Sequence, residues 1–584
     1  MKMIKVKIDD KVIITPEGTT ILNAALKAGI NIPNLCYMEM EEIGFKNNCA
    51  SCRICVVEVK GMKRLVPSCT TPVSQGMEII TNSVNVMNKR RVILELLLSD
   101  HPKDCLTCGK NGYCQLQKIA MDFGLREIRF EGKESKHYRQ KSIAITKDIS
   151  KCIMCRRCEK MCEDIQSCSI LTGIGRGFEV VVNTAFNRNL SETKCTYCGQ
   201  CVAVCPVGAL YETDNYFKLT EDITNEKKKV IVQMAPAVRV ALGELYGMPP
   251  GTDLTKKIVA GLRKLKFDAV FDTNFAADVT IVEEATELKH RLNEYLNGNK
   301  KVKLPLFTSC CPSWVRFVEL NYPELMGNLS STKSPQQIFG AISKEIWAKK
   351  MSIPKEDLVC VSIMPCVSKK YEASRVEFSQ DGIFDVDYSI TTRELSRIFH
   401  QYNVDVLSLE DSDFDSPMGE STGAADIFGR SGGVLEAATR TLYEMETNGK
   451  LENLDFNVMR GFEEVRVAEI NVENKVNLKL AVVHGLGAAR KLIEKIINGE
   501  EVFHAVEIMA CKGGCVGGGG QPYHNGDFSI IKKRYEALQD LDYKKDIRMS
   551  HENPSVKALY QNDLDEPYFG KLAHKLLHVK YLEK

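Results

Sequence analysis

The chain has 584 residues, 44% hydrophobic and 26% charged, with a formal net charge of +2. This is the composition of an ordinary globular protein of about three to five domains. The near balance of charge excludes a strong field for nucleic acid or an anionic membrane surface, and no apolar run approaches the roughly 18 residues of a membrane helix. The opening MKMIKVKIDD alternates like a strand and lacks the apolar core of a signal peptide, so the cytoplasm is the expected location. Cysteine is the outlier. Most of the 23 Cys fall in tight CxxC clusters, which in a reducing compartment read as metal or redox sites rather than disulfides.

Residues 1–80 begin with two strand-like runs, Ile4–Ile8 and Lys11–Ile14, followed by the helix-like TILNAALKAG and the strand-like CRICVVEV. A loop of clustered thiolates, completed by a distant Cys, suits a plant-type 2Fe–2S domain of β-grasp fold with Cys36, Cys52, Cys55 and Cys69 as ligands. Cys49 lies in the same loop, but the register of CRxCxVEV favours Cys52 and Cys55 and leaves Cys49 spare. Zinc takes the same four thiolates and is the alternative.

Residues 81–145 form a small His/Cys domain around HPKDCLTCGKNGYC, with His101, Cys105, Cys108 and Cys114. Three Cys and one His suit zinc or an iron–sulfur cluster with one imidazole ligand. Its position between two electron carriers favours 4Fe–4S. A neutral imidazole in place of a thiolate would give that cluster an unusual potential.

Residues 146–215 hold an internal repeat, CIMCRRCEKMC and CTYCGQCVAVCP, with the CxxCxxCxxxC spacing of bacterial two-cluster ferredoxins. In such a domain each run lends its fourth Cys to the other cluster. Cys152, Cys155, Cys158 and Cys205 are therefore expected around one 4Fe–4S centre, and Cys162, Cys195, Cys198 and Cys201 around the other. Cys168 falls outside both runs and is expected to be a buried apolar Cys. Four centres in one stretch make a wire, which implies an electron sink at one end and a docking surface for a carrier at the other.

The polar TEDITNEKKK (220–229) reads as a boundary, and residues 225–584 as a large two-lobed α/β domain. Strand-like VIVQMAP, LVCVSIMP, LKLAVVHG and AVEIMAC alternate with helical KSPQQIFGAISKEIWAKK and GVLEAATRTLYEM. No phosphate loop appears. GIGRGF (173–178) imitates a dinucleotide fingerprint but lacks the following helix and spaced acid, and reads as a turn. Three further Cys motifs each follow an apolar run: FTSCCP (307–312), MPCVSKKYE (364–372) and MACKGGCVGGGGQP (509–522). Strand ends are where α/β folds place active sites, and the glycines at 513–514 and 517–520 permit positive φ and close approach to a bulky ligand. Any one motif alone is compatible with a structural Cys or a turn; their conjunction downstream of a ferredoxin module is not.

Together these motifs resemble the active-site signatures of the di-iron (FeFe) hydrogenases, and the resemblance covers nearly the whole chain. It is similar to clostridial enzymes with four accessory clusters and to the catalytic subunit of NAD(P)-linked hydrogenases. The resemblance implies the reaction 2 H⁺ + 2 e⁻ ⇌ H₂ at an H-cluster, a 4Fe–4S cubane joined to a two-iron subsite bearing CO, cyanide and a bridging azadithiolate. It assigns Cys311, Cys366, Cys511 and Cys515 to the cubane, with Cys515 as the bridge. It makes Cys310 the first proton relay, continuing through Glu284, Ser330 and Glu287 to Arg291 and Glu372. Glu284 and Glu287 are i, i+3 and share a helix face. Lys369 would donate to a cyanide, Pro236, Pro335 and Gln336 would line the diatomic ligands, and Met364 and Met509 would pack on the two-iron unit. Where some relatives read APSVR this chain has Ala237, which removes a hydroxyl donor to the second cyanide. Cys360 reads as core.

The resemblance also implies a soluble electron carrier, ferredoxin or flavodoxin, and dedicated maturation enzymes. The alternative is the hydrogenase subunit of an NAD(P)-linked or bifurcating complex whose flavin and nicotinamide sites lie on other chains. A non-catalytic iron–sulfur relay or hydrogen sensor, and a zinc-stapled structural protein, are the readings from other classes. Loss of a cubane Cys or of Cys310 would favour the former, and all are present.

Overall fold

The computed structural model describes residues 2–133, 138–299, 301–447, 449–472, 476–564 and 567–582. The first strand, Met3–Ile8, alternates exposed and buried positions, which turns Ile4, Val6 and Ile8 inward. It pairs antiparallel with Lys11–Pro16 and parallel with Glu78–Ile80, and Val56–Val59 and Val66–Pro67 complete a five-stranded sheet. The helix Ile21–Lys27 buries Ile21, Leu22, Ala24 and Ala25 in the same core. Its start is fixed by Thr20, whose side chain accepts from the Asn23 N–H. This is the expected β-grasp arrangement.

The two ferredoxin-like runs repeat at the level of backbone geometry. Met154 and Arg156 have φ of 57° and 60°, and the matching positions Tyr197 and Gly199 have 57° and 73°. Left-handed backbone at non-glycine residues costs about 1 kcal/mol or more each. Its recurrence at equivalent places marks loops wrapped around similar bodies. GIGRGF lies at the end of a hairpin, Thr172–Ile174 against Val181–Asn183, as the turn reading expected.

The C-terminal half is built on two four-stranded sheets. In one, Ala269–Asp272, Lys229–Met234, Leu358–Met364 and Tyr388–Thr391 are all parallel. Every residue of Leu358–Met364, including Cys360, is buried, as a central strand covered on both faces requires. In the other, Leu306–Phe307, Ala505–Met509 and Val476–His484 are parallel and Val465–Val472 is an antiparallel edge. The long helix Thr273–Leu296 packs against Gly433–Thr447 and Pro335–Ile342 between them.

One expectation is corrected. The helix Tyr216–Ile223 runs into the polar stretch that reads as a boundary. Leu219 is fully buried in one core with Val230, Val232 and Val359, and the Tyr388 hydroxyl donates to Asp222 at 2.7 Å. The amphipathic face of this helix packs on the catalytic lobe.

Candidate active site

The three Cys motifs leave the C-terminal ends of Leu306–Phe307, Leu358–Met364 and Ala505–Met509, two strands from one sheet and one from the other. They meet around a cavity lined by Cys310, Cys311, Cys366, Cys511 and Cys515. Pro236, Ala237, Pro335, Gln336, Met364, Lys369 and Met509 line the same space. Glycine is required where the loops touch. Gly514 has φ +95°, and a Cβ there would lie 2.5 Å from the Ser431 nitrogen. A Cβ on Gly518 would lie 2.3 Å from the Pro365 carbonyl oxygen, so only glycine lets the MACKGGC loop close on the MPC loop.

Cys511 has Cys366, Cys311 and Cys515 as its ionisable neighbours, and burial pushes all four thiols up. Four thiols gathered on one cavity gain little as a packed core and become favourable when metal replaces their protons. Among the described residues no three His, Cys, Asp or Glu side chains converge at single-ion spacing. A mononuclear tetrahedral zinc needs that convergence, whereas thiols around a multi-iron cluster stand farther apart. The donor set and the cavity fit the H-cluster expected here.

Lys369 reaches three acceptors: Glu372 Oε2 at 2.8 Å, Ser334 Oγ at 2.9 Å and the Cys310 carbonyl at 3.2 Å. Gln336 Nε2 donates to the same Glu372 oxygen at 3.0 Å, and its Oε1 accepts from Ser362. Glu372 therefore anchors the pocket lysine. Its hydrogen bonds run to Ser334, Gln336 and Lys369, which corrects the expectation that it extends the line through Arg291.

Glu284 and Glu287 stand one turn apart on the buried stretch of the helix Thr273–Leu296. Burial first, then the Glu287 carboxylate, pushes the Glu284 carboxyl up to about 8. Its Oε2 is buried with no protein partner. Glu284 is an ionisable neighbour of the Cys310 thiol, which burial pushes well up, and Ser330 is among the groups that act on its carboxyl. Ser330 Oγ donates to Glu287 Oε2 at 2.9 Å, and Arg291 Nη2 donates to Glu287 Oε1 at 2.6 Å. Sequence reasoning missed Ser331, His578 and Glu283, which continue the network beyond Glu287. No local pattern marks them, because His578 lies 247 residues from Ser331 and 295 from Glu283.

At the N-terminus, Cys36 has Cys49, Cys52 and Cys69 as its ionisable neighbours, and Cys69 also has Cys55. Cys36, Cys52, Cys55 and Cys69 are buried, while Cys49 is exposed. Burial first, then the Lys151 ammonium, holds His101 down at about 4, the neutral form a metal ligand needs. Cys114 has Cys108 among its charged neighbours. A Cβ on Gly208 would lie 2.3 Å from Cys108 Sγ. Cys105 is exposed. Cys152, Cys155 and Cys205 are charged neighbours of Cys158, and Cys162, Cys195, Cys198 and Cys201 line one cavity. Cys205 of the second run thus neighbours the first run, and Cys162 of the first run shares a cavity with the second. Cys168 lines that cavity too and is half-buried, its thiol donating to the Gln166 carbonyl at 3.2 Å. This corrects its reading as buried core.

The cysteine sites touch in sequence. Asn47 Nδ2 donates to the carbonyls of Cys36 at 2.6 Å and Cys155 at 2.8 Å. Lys110 Nζ donates to the Cys205 carbonyl at 2.5 Å. Gln200 and Gln166 donate at 3.0 Å to Gly517 and Ala510 of the active-site loop.

Residues 228–519 match the domain family described as "Iron only hydrogenase large subunit, C-terminal domain", and 528–584 match "Iron hydrogenase small subunit". Residues 1–84, 90–129 and 189–211 match a 2Fe–2S cluster binding domain, the NADH-ubiquinone oxidoreductase-G iron–sulfur binding region and a 4Fe–4S binding domain. The chain belongs to the iron-only (FeFe) hydrogenases and carries iron–sulfur relay domains ahead of its catalytic domain. It is 52% identical to the NADP-reducing hydrogenase subunit HndD of Solidesulfovibrio fructosivorans, covering 100% of both chains. It is 39% identical to Iron hydrogenase 1 of Clostridium pasteurianum, over 97% of this chain and 98% of that one. A solved FeFe-hydrogenase from Chlamydomonas reinhardtii matches with a TM-score of 0.57 and 41% identity, over 63% of this chain and 98% of that one. Among the described residues no helix is long and apolar enough to cross a membrane.

Proposed function

We propose that this hydrogenase interconverts protons and molecular hydrogen at an H-cluster held by Cys311, Cys366, Cys511 and Cys515. The observation that carries this reading is the meeting of four thiols from three strand ends on one cavity, with Cys310 beside them. When bound, the cluster supplies an open iron site and a basic amine at which protons and electrons combine. The protein does the rest. Cys310 carries a proton between the pocket and Glu284, whose carboxyl keeps a proton near neutral pH and can still release it. Ser330 passes that proton to Glu287, beside the half-buried Arg291. Lys369 presents a buried ammonium to the anionic ligands while Glu372 holds it in place. Met364, Met509, Pro236 and Pro335 exclude water.

Electrons would arrive along two arms. The 2Fe–2S site of Cys36, Cys52, Cys55 and Cys69 and the 4Fe–4S site of His101, Cys105, Cys108 and Cys114 both abut the site of Cys152, Cys155, Cys158 and Cys205. The site of Cys162, Cys195, Cys198 and Cys201 stands next to the catalytic pocket.

Full-length similarity to an NADP-reducing hydrogenase subunit, together with the complex-I-like match over 90–129, favours a multisubunit assembly. In it, flavin and NADP sites on other subunits exchange electrons with this one. Ferredoxin as a direct partner is the second reading, favoured by the similarity to Iron hydrogenase 1. Affinity purification of the tagged chain from its native cells separates them. Co-purifying flavoprotein subunits and NADPH-dependent hydrogen evolution support the first. A lone chain that evolves hydrogen from reduced ferredoxin supports the second.

A further inference from the structure

At Glu287 the hydrogen-bonded line forks. One arm is Arg291. The other is Ser331, whose backbone N–H and hydroxyl lie 3.0 and 3.1 Å from Glu287 Oε2. The same hydroxyl lies 2.8 Å from Nδ1 of His578. Nε2 of His578 lies 2.9 Å from Oε2 of Glu283, a buried carboxylate that also accepts from the Tyr560 hydroxyl and the Phe569 N–H. His578 is 6% exposed. Backbone bonds from Lys333 to Leu577 and from Val579 to Ser331, at 2.8 and 2.7 Å, fix it beside the relay.

Proton counting at Ser331 limits what this junction can do. A serine hydroxyl has one proton to give. Nε2 of His578 faces a carboxylate and keeps its proton in either charge state. With His578 neutral, Nδ1 is a bare acceptor and the Ser331 proton turns to it. With His578 charged, Nδ1–H donates into Ser331 Oγ, and the hydroxyl proton swings to Glu287. Glu287 gains or loses one donor with no heavy atom moving, and an added donor favours the ionised carboxylate.

We propose that His578 is a positioning residue for the proton relay: through the Ser331 hydroxyl, its charge decides how readily Glu287 gives up a proton. This rests on the reading of Glu284, Ser330 and Glu287 as the relay. The titratable groups facing His578 are Glu283 with Tyr560 behind it, and His574, stacked at 4.8 Å. Phe569 packs edge-on at 4.9 Å with His290 stacked beyond it, and Glu287 with Arg291 lies across Ser331. Histidine ordinarily changes charge between pH 5 and 8. A charged His578 gives Glu287 one donor more than a neutral one does, so the relay resists being locked in its protonated form.

The test uses the matured full-length holoenzyme and pH profiles of hydrogen production for wild type, Ser331→Ala, His578→Gln and the double variant. The proposal expects unchanged iron content and unchanged infrared bands of the metal-bound ligands. It also expects an acid limb displaced upward by about one pH unit, roughly a tenfold loss at acid pH with little change at alkaline pH. The double variant should equal either single one, because both cut the same link. A second readout, independent of turnover, is the infrared carboxyl band assigned to Glu287 by its absence in Glu287→Gln, titrated in protein without the two-iron subsite. In Ser331→Ala its midpoint should move up. A uniform loss across pH, an additive double variant or an unmoved carboxyl band overturns the proposal. Wild-type turnover in Glu287→Gln overturns the relay reading itself and the proposal with it.

Discussion

The Cys511 thiol lies 4.0 Å from the backbone carbonyl of Cys198, so a sulfur of the catalytic pocket touches the chain that wraps the second ferredoxin-type site. The approach depends on two glycines. A Cβ on Gly519 would lie 2.7 Å from both Cα and O of Gly199. Backbone on both sides leaves nothing to yield. Gly519→Ala should keep full iron content but slow the reduction of the accessory clusters by hydrogen severalfold, read by freeze-quench electron paramagnetic resonance. An unchanged rate would mean that this contact does not carry the electrons.

Cys310→Ala should leave the cluster ligands in place and lower hydrogen turnover by about 10²–10⁴-fold, the usual weight of a proton-transfer group. Cys310→Ser should recover little, since a hydroxyl is a far weaker acid than a thiol at neutral pH. Film electrochemistry on matured variants checks both. Wild-type rates in the alanine variant would remove Cys310 from the relay.

Glu284 links the relay to stability. Its folded carboxyl titrates near 8 against about 4.3 in an unfolded chain. Between those values the folded state binds the extra proton, so this residue's contribution falls as pH rises through the window and is most adverse above the folded value. Thermal unfolding from pH 6 to 8 should decline less steeply in Glu284→Gln than in wild type. An identical slope would mean that Glu284 is ionised in the folded protein.

Lys369 and Glu372 form a buried pair that supports the pocket, their side chains 12% and 4% exposed. Lys369→Met should destabilise the protein by about 3–5 kcal/mol by stranding the carboxylate, and adding Glu372→Gln should restore part of that loss. Denaturant unfolding of protein without the two-iron subsite measures the cycle. Additive losses would show that the two side chains are uncoupled.

Much of this was legible in the sequence because the chemistry is concentrated. The interleaved ferredoxin spacing, the three Cys motifs and the apolar runs before them specify ligand sets and strand ends, and the two sheets bring those ends together. Glu284 and Glu287 were legible as one helix face. What was not legible depends on where distant segments fold back. Glu372 follows MPCVSKK and looks available to the relay, yet Lys369, one turn earlier, captures it. Cys168 sits outside the repeat, yet the chain turns its thiol toward a cluster cavity. His578 lies in a motif-free tail and acquires meaning only by pairing with 331–333.

The most direct test of the central claim is infrared spectroscopy, on protein co-expressed with maturation enzymes, paired with a hydrogen assay and iron analysis on the same sample. The account predicts bands of iron-bound CO and cyanide, hydrogen turnover and about 20 irons per chain, from one 2Fe–2S, four cubanes and two further irons. It predicts that Cys515→Ala loses the bands and the turnover while the accessory clusters remain. Fully loaded accessory clusters with neither bands nor turnover, or zinc in place of iron, would contradict it.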